Sequence, residues 1–120
     1  LGPDDVPLLD NGSGLARVER ITAQGLARLL QTAYASPVMP ELMSSLPITG
    51  VDGTLRRSRS KAQGSAHLKT GTLRDVVAVA GYVLASSGKR YALVMIINHP
   101  SATAARPAID ALLDWAMKDN

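Results

Sequence analysis

The stretch Ala66-His67-Leu68-Lys69-Thr70-Gly71-Thr72 decides the fold of this chain. Apolar residues lead into Lys-Thr-Gly-Thr, and a second strand-like run, residues 76–84, follows at once. The pattern predicts strands over residues 66–72, 76–86 and 89–98. A compact turn, Ser86-Ser87-Gly88-Lys89, joins the second and third strands, so we expect these two to pair in antiparallel orientation.

Helical patterns lie on both sides of the strands. Thr22 is the expected N-cap of a helix that runs to about residue 35. Its apolar residues recur on one face at helical spacing: Leu26, Leu29, Leu30, Ala33 and Tyr34. A short helical turn over residues 39–46 and a closing helix over about residues 104–117 follow the same reasoning. The sequence therefore predicts an α+β fold in which helices flank a three-stranded antiparallel sheet.

The composition restricts the class of protein. Hydrophobic residues make up 46% of the 120 residues and charged residues 19%, which is typical of one globular core. No apolar run reaches the roughly 20 residues of a membrane helix, so we expect no transmembrane segment. The absence of cysteine excludes disulfides and thiolate metal sites. His67 and His99 are isolated, so neither a metal nor a cofactor is expected.

The net charge of +3 is concentrated in residues 56–61, Arg-Arg-Ser-Arg-Ser-Lys. A basic cluster can bind nucleic acid, but no aromatic residue is interleaved here to stack on bases. We interpret residues 50–65 as an exposed loop and expect no nucleic-acid partner.

The Lys-Thr-Gly-Thr segment carries the chemistry if its strand lies at the edge of the sheet. Lys69 and Gly71 would then project to one face, and Thr70 and Thr72 to the other. An edge strand leaves backbone groups open to a peptide that adds as a further strand, and Gly71 presents no side chain to block it. Lys69 offers a charge for a carboxylate, and the Thr72 N–H could donate to an oxyanion. The triplet alone is a weak motif, and the alternative is a solvent-facing lysine before a turn.

In several segments the chain resembles the class C low-molecular-mass penicillin-binding proteins, which are D-alanyl-D-alanine carboxypeptidase/endopeptidases. The first segment is Asp10-Asn11-Gly12-Ser13-Gly14-Leu15-Ala16-Arg17, in which Ala16 stands where the family usually has Ser. Residues 46–55, His67-Leu68-Lys69-Thr70-Gly71-Thr72-Leu73 and residues 79–83 also resemble the family. Together these segments cover essentially the whole chain.

The resemblance implies a serine acyl-enzyme mechanism on the terminal D-Ala-D-Ala of peptidoglycan stem peptides, inhibited by β-lactams, in the periplasm or another extracytoplasmic location. Lys69 and Thr70 would belong to the catalytic and carboxylate-binding cluster, Gly71 would keep the strand open, and Thr72 would supply the oxyanion N–H. Arg17 would bind the free carboxylate of the diaminopimelate side chain. Leu73 and Arg74 would line the same pocket.

Two further motifs of the family are missing from their expected context. Ser-x-Asn does not occur, and Ser58-Arg59-Ser60-Lys61 matches Ser-x-x-Lys only within the basic loop, with no apolar helix behind it. The resemblance therefore implies that residues 1–120 are the C-terminal portion of a serine β-lactamase/transpeptidase-like domain, whose nucleophile-bearing N-terminal part is absent. Three alternatives remain: a complete small enzyme using Ser58 and Lys61, a non-catalytic peptidoglycan- or nucleic-acid-binding module, and a β-lactamase fragment.

Overall fold

A three-stranded antiparallel sheet with helices on both faces forms the described part of the chain. The structure is a computed structural model, and it describes residues 7–8, 21–48, 65–73 and 75–119. In chain order the elements are α1 (Ala23–Tyr34), α2 (Met39–Ser45), β1 (Ala66–Leu73), β2 (Val76–Leu84), β3 (Arg90–Asn98), a 3₁₀ turn (Ala102–Ala104) and α3 (Arg106–Met117). The predicted α+β class is confirmed.

The three strands follow one another in the sheet in chain order, with β2 at the centre. Both pairings are antiparallel and run without a bulge, so that Lys69 lies opposite Ala80 and Gly71 opposite Ala78. The predicted turn between β2 and β3 is present: the Ala85 N–H donates to the Lys89 carbonyl at 2.8 Å. Gly88 in this turn has a φ of 86°, a conformation that glycine adopts without steric cost.

One face of the sheet packs on α3 and carries the core. Its fully buried side chains include Leu68 of β1, Val79 and Val83 of β2, and Leu113 of α3. The closing helix was expected from about residue 104, but α3 begins at Arg106 and is preceded by the 3₁₀ turn. Pro107 accounts for the later start, because proline is tolerated in the first turn of a helix and not in its interior.

The opposite face of the sheet packs on α1. Thr22 caps this helix as predicted, its hydroxyl accepting from the Gly25 N–H at 2.9 Å. The buried Tyr82 of β2 donates its hydroxyl to the Leu30 carbonyl at 2.6 Å, and its ring lies 5.7 Å from the ring of Tyr34. This contact anchors α1 over the end of the sheet at which Tyr82 pairs with His67.

Within the described ranges, every helix is too short or too polar to cross a lipid bilayer.

Candidate active site

The Lys-Thr-Gly-Thr segment lies in the C-terminal half of β1, which is an edge strand of the described sheet. Lys69, Gly71, Thr72 and Leu73 are exposed, whereas Thr70 is half-buried. The segment is therefore both accessible and held in a regular strand by its pairing with β2.

The hydrogen-bond alternation of an antiparallel pair fixes which backbone groups face outward. The Leu84 N–H donates to the Ser65 carbonyl at 2.8 Å, so residue 65 and every second residue after it direct their backbone groups toward β2. The intervening residues, including Thr70 and Thr72, direct their N–H and C=O groups away from β2, to the outer edge of the described sheet. Leu68 confirms the alternation, because its N–H donates outward to the Pro47 carbonyl at 2.9 Å.

Side-chain alternation places Lys69 and Gly71 on the face that α1 packs against, and Thr70 and Thr72 on the core face with Leu68. The lysine nevertheless reaches the edge: its ammonium donates to the Thr70 carbonyl, which points outward from β1. The cation and the outward N–H of Thr72 therefore share one margin of the sheet. A cation and an N–H donor along an open strand can hold a peptide that ends in a carboxylate.

Gly71 keeps space open beside this margin. A Cβ built at Gly71 would find no atom within 4 Å, so the position is not a packing requirement of the described structure. A glycine with open space at an edge strand leaves room for another chain to approach the backbone closely.

Gly81 of β2, unlike Gly71, lies in a position with no room for a side chain. Its part in placing β1 was not predicted from the sequence. A Cβ there would lie 2.1 Å from the His67 carbonyl oxygen and 2.9 Å from the Leu68 Cα, and its φ is 155°. The absence of a side chain thus allows β1 to lie close to β2 just before Lys69. The available signal was a glycine in the interior of an apolar strand.

The segment Pro47–Ile48 was also missed. It pairs antiparallel with the N-terminal half of β1, with Ile48 opposite His67 and the Pro47 carbonyl accepting from Leu68. The residue before a proline is biased toward extended backbone, which was the local signal for a short strand here. Leu46 has that conformation, with φ −87° and ψ 138°.

The remaining predicted residues fall in different places. Arg17, Arg74 and the Ser58–Lys61 stretch lie outside the described residues. Leu73 is 50% exposed at the end of β1, on the same face as Lys69. In the described ranges, no group of three or more His, Asp or Glu side chains is arranged to bind a metal ion.

The pKa shifts of Asp119 and Tyr91 arise at the β2–β3 turn, away from Lys69 and the outer edge of β1. The Ser87 hydroxyl donates to Asp119 at 2.6 Å and lowers the pKa of that carboxyl group, and the Tyr91 hydroxyl donates to it at 2.9 Å. The same hydrogen bond to Asp119 raises the pKa of Tyr91. We call this arrangement the Asp119 clasp; it joins the turn to the end of α3.

A family model, curated relatives and solved structures all match this chain over most of its length. The model of the D-Ala-D-Ala carboxypeptidase 3 (S13) family matches residues 5–119. A D-alanyl-D-alanine carboxypeptidase of Actinomadura sp. (strain R39) is 36% identical over an alignment that covers 93% of this chain and 22% of that relative.

Crystal structures of penicillin-binding protein 4 (dacB) from Haemophilus influenzae have the same fold. One matches with a TM-score of 0.70 and 26% identity, covering 89% of this chain and 27% of that chain. A second, complexed with a β-lactam, matches with a TM-score of 0.73 and 24% identity, covering 91% and 27%. The 120 residues thus span about a quarter of the length of these relatives.

Proposed function

The chain belongs to the D-Ala-D-Ala carboxypeptidase 3 (S13) family, and we propose that its whole protein is a serine-type D-Ala-D-Ala carboxypeptidase/endopeptidase acting on peptidoglycan stem peptides. In this proposal the 120 residues supply one wall of the active site, the outer edge of β1. The observation that carries the proposal is the shared position of the Lys69 ammonium and the outward Thr70 and Thr72 backbone on that edge.

The peptide would add to β1 as an antiparallel strand, the orientation of every pairing in the described sheet. An antiparallel peptide begins near Leu73 and ends near Lys69. Its terminal carboxylate therefore arrives beside the ammonium group, where the opposite charges attract. The carbonyl of the residue before the cleaved bond would accept from the Thr72 N–H.

The reaction would proceed through an acyl-enzyme. A serine hydroxyl outside these 120 residues attacks the penultimate D-Ala carbonyl carbon, and the Thr72 N–H donates to the oxyanion that develops. The C–N bond then breaks, the terminal D-Ala leaves after taking up a proton, and water hydrolyses the ester to regenerate the serine. A single oxyanion donor typically contributes about 3–4 kcal/mol to the transition state.

Residues outside the edge complete the proposal. Arg17 would recognise the diaminopimelate carboxylate of the stem peptide, and Leu73 and Arg74 would line the same pocket. Inhibition by β-lactams is supported by the β-lactam complex of the similar H. influenzae protein. Because peptidoglycan lies outside the cytoplasmic membrane, the protein would act in the periplasm or another extracytoplasmic location.

The direct test is to incubate the intact protein with a fluorescent penicillin and, separately, with an acyl-D-Ala-D-Ala peptide. We expect covalent labelling and release of D-alanine, and we expect neither from residues 1–120 alone. Labelling of residues 1–120 at Ser58 would instead favour a complete small enzyme. An intact protein that binds peptidoglycan without labelling or turnover would favour a non-catalytic module.

A further inference from the structure

The outer edge of β1 is divided between two uses. Its N-terminal half, at His67 and Leu68, is covered by Pro47–Ile48, whereas no described strand pairs with its C-terminal half. The boundary between the two halves lies directly before Lys69. We call Pro47–Ile48 the end segment, and the margin from Lys69 to Leu73 the substrate margin.

Proline explains why the pairing stops at this boundary. In an antiparallel ladder the residue opposite Leu68 would both accept from the Leu68 N–H and donate to the Leu68 carbonyl. Pro47 accepts from that N–H at 2.9 Å, but it has no N–H of its own to return the second bond. The end segment therefore pairs with the edge as far as Leu68, and it does not pair with the substrate margin.

The register of a bound peptide follows from the same alternation. If the residue before the cleaved bond pairs with Thr72, the first residue after the bond faces Gly71 and the second faces Thr70. The Thr70 carbonyl, however, already accepts from the Lys69 ammonium. A longer tail would have to enter the space that Pro47 fills opposite Leu68.

We propose that the end segment Pro47–Ile48 is a specificity determinant, an end stop that restricts the leaving group to a short tail ending in a carboxylate beside Lys69. The proposal rests on the proposed function and deepens it. The Lys69 ammonium attracts the terminal carboxylate of the peptide. The end segment prevents the peptide backbone from continuing past Lys69. The end segment would therefore set the balance between the two proposed activities, favouring removal of a carboxy-terminal residue over cleavage within an extended peptide chain.

The test uses the intact protein and three peptides: acyl-D-Ala-D-Ala, the same peptide extended by three glycines, and its carboxy-terminal amide. The extended peptide keeps a carboxylate but lengthens the tail, whereas the amide keeps the length and removes the charge. We expect kcat/KM to fall roughly a hundredfold for the extended peptide, the scale of discrimination that a binding site achieves by shape.

Ile48→Gly should loosen the half-buried end segment and recover about tenfold of kcat/KM on the extended peptide, with no recovery on the amide. Val38→Gly is the matched control, at a residue that is 62% exposed just before α2. It should leave kcat/KM unchanged on both the extended peptide and the amide. Equal rates of wild type on the short and extended peptides would overturn the end stop alone. Cleavage of none of the peptides would refute the proposed function, and the end stop with it.

If Ile48→Gly does not fold, amide hydrogen exchange of the wild-type protein tests whether the end segment stays paired with β1 when penicillin binds. In the wild-type protein we expect the Leu68 amide to be protected both with and without penicillin, because Pro47 is its acceptor. The Thr72 amide should gain protection only when penicillin is bound. Leu68 protection that is lost on penicillin binding would mean that the end segment moves away from the edge, and it would overturn the proposal.

Discussion

Gly81→Ala tests the packing that brings the site strand to its position. The added methyl would lie 2.1 Å from the His67 carbonyl oxygen, and ordinary contact at this position begins at 3.4 Å. The two strands must therefore separate by about 1.3 Å, the difference between 3.4 Å and 2.1 Å, to restore an ordinary contact. No flexible side chain can relieve this contact, because the obstructing atoms belong to the backbone of β1.

Besides the backbone strain of an alanine at a φ of 155°, the cost has two sources. Overpacking a well-packed site typically costs about 1–3 kcal/mol. Separation of the strands also lengthens the two bonds of the neighbouring His67–Tyr82 pair beyond hydrogen-bonding distance, at about 1 kcal/mol each. We therefore expect Gly81→Ala to lower the free energy of unfolding by about 3–5 kcal/mol, a large share of a typical total of roughly 5–15 kcal/mol.

The assay is denaturant unfolding of the intact protein, combined with fluorescent penicillin labelling of the folded fraction. Gly71→Ala is the matched control, because a Cβ there meets nothing within 4 Å. It should change the unfolding free energy by no more than about 0.5 kcal/mol, as at other surface positions, and yet slow labelling. A Gly81→Ala protein within 1 kcal/mol of wild type, on the scale of ordinary substitutions, would refute the reasoning about strand approach.

Four further substitutions test individual parts of the account. Lys69→Ala should slow penicillin labelling by about a hundredfold or more, whereas the exposed Lys118→Ala should leave it unchanged; equal rates for both would remove Lys69 from the site. Tyr82→Phe should cost about 1 kcal/mol of unfolding free energy through its lost hydrogen bond to α1. Burial raises the pKa of Tyr82 above 10.0, so its contribution should be complete below pH 10 and decline as the pH rises further, a decline that the Phe variant should lack. Hydrogen bonds hold the pKa of Asp119 below 3.8, so the Asp119 clasp should stabilise the protein above that pH and weaken as the pH falls below it. Asp119→Asn, which tolerates the φ of 63°, should remove this acid dependence in thermal unfolding. Arg17→Ala should reduce turnover of diaminopimelate-containing peptides more than that of a bare acyl-D-Ala-D-Ala, and equal losses on both would argue against its recognition role.

Most of the fold was predictable because its signals are local. The β2–β3 turn contains serines and a glycine between two apolar runs, and the observed pairing follows from that arrangement. Thr22 caps α1 through an amide only three residues away. The observed elements begin and end within two residues of the predicted ones, including the closing helix, whose first predicted residue belongs to the 3₁₀ turn that precedes α3.

The contacts that position the site strand were not predictable, because they join residues distant in sequence. Tyr82 reaches a carbonyl of α1 that lies 52 residues earlier. The close approach of β1 at Gly81 and the pairing of Pro47 with Leu68 likewise depend on how separate segments meet. Neither composition nor periodicity specifies such long-range contacts, which depend on tertiary packing.

The candidate site was predictable to the extent that it is contiguous. Residues 69–72 follow one another on a single strand, so their order alone indicates a cation, hydroxyls and an open backbone. The alternation of the strand also anticipated that Lys69 and Gly71 share one face. The hydrogen bond from the Lys69 ammonium to the Thr70 carbonyl was not predicted. A side-chain conformation depends on its surroundings and not on the spacing of residues in the sequence.

The central claim is that the substrate margin of β1 receives the D-Ala-D-Ala end of a stem peptide. A crystal structure of the intact protein acylated by penicillin tests it most directly. We predict that the acyl carbonyl oxygen lies about 3 Å from the Thr72 amide nitrogen, within hydrogen-bonding distance, and that the inhibitor carboxylate lies beside Lys69 and Thr70. An acyl group whose carbonyl and carboxylate both lie away from this edge would contradict the account.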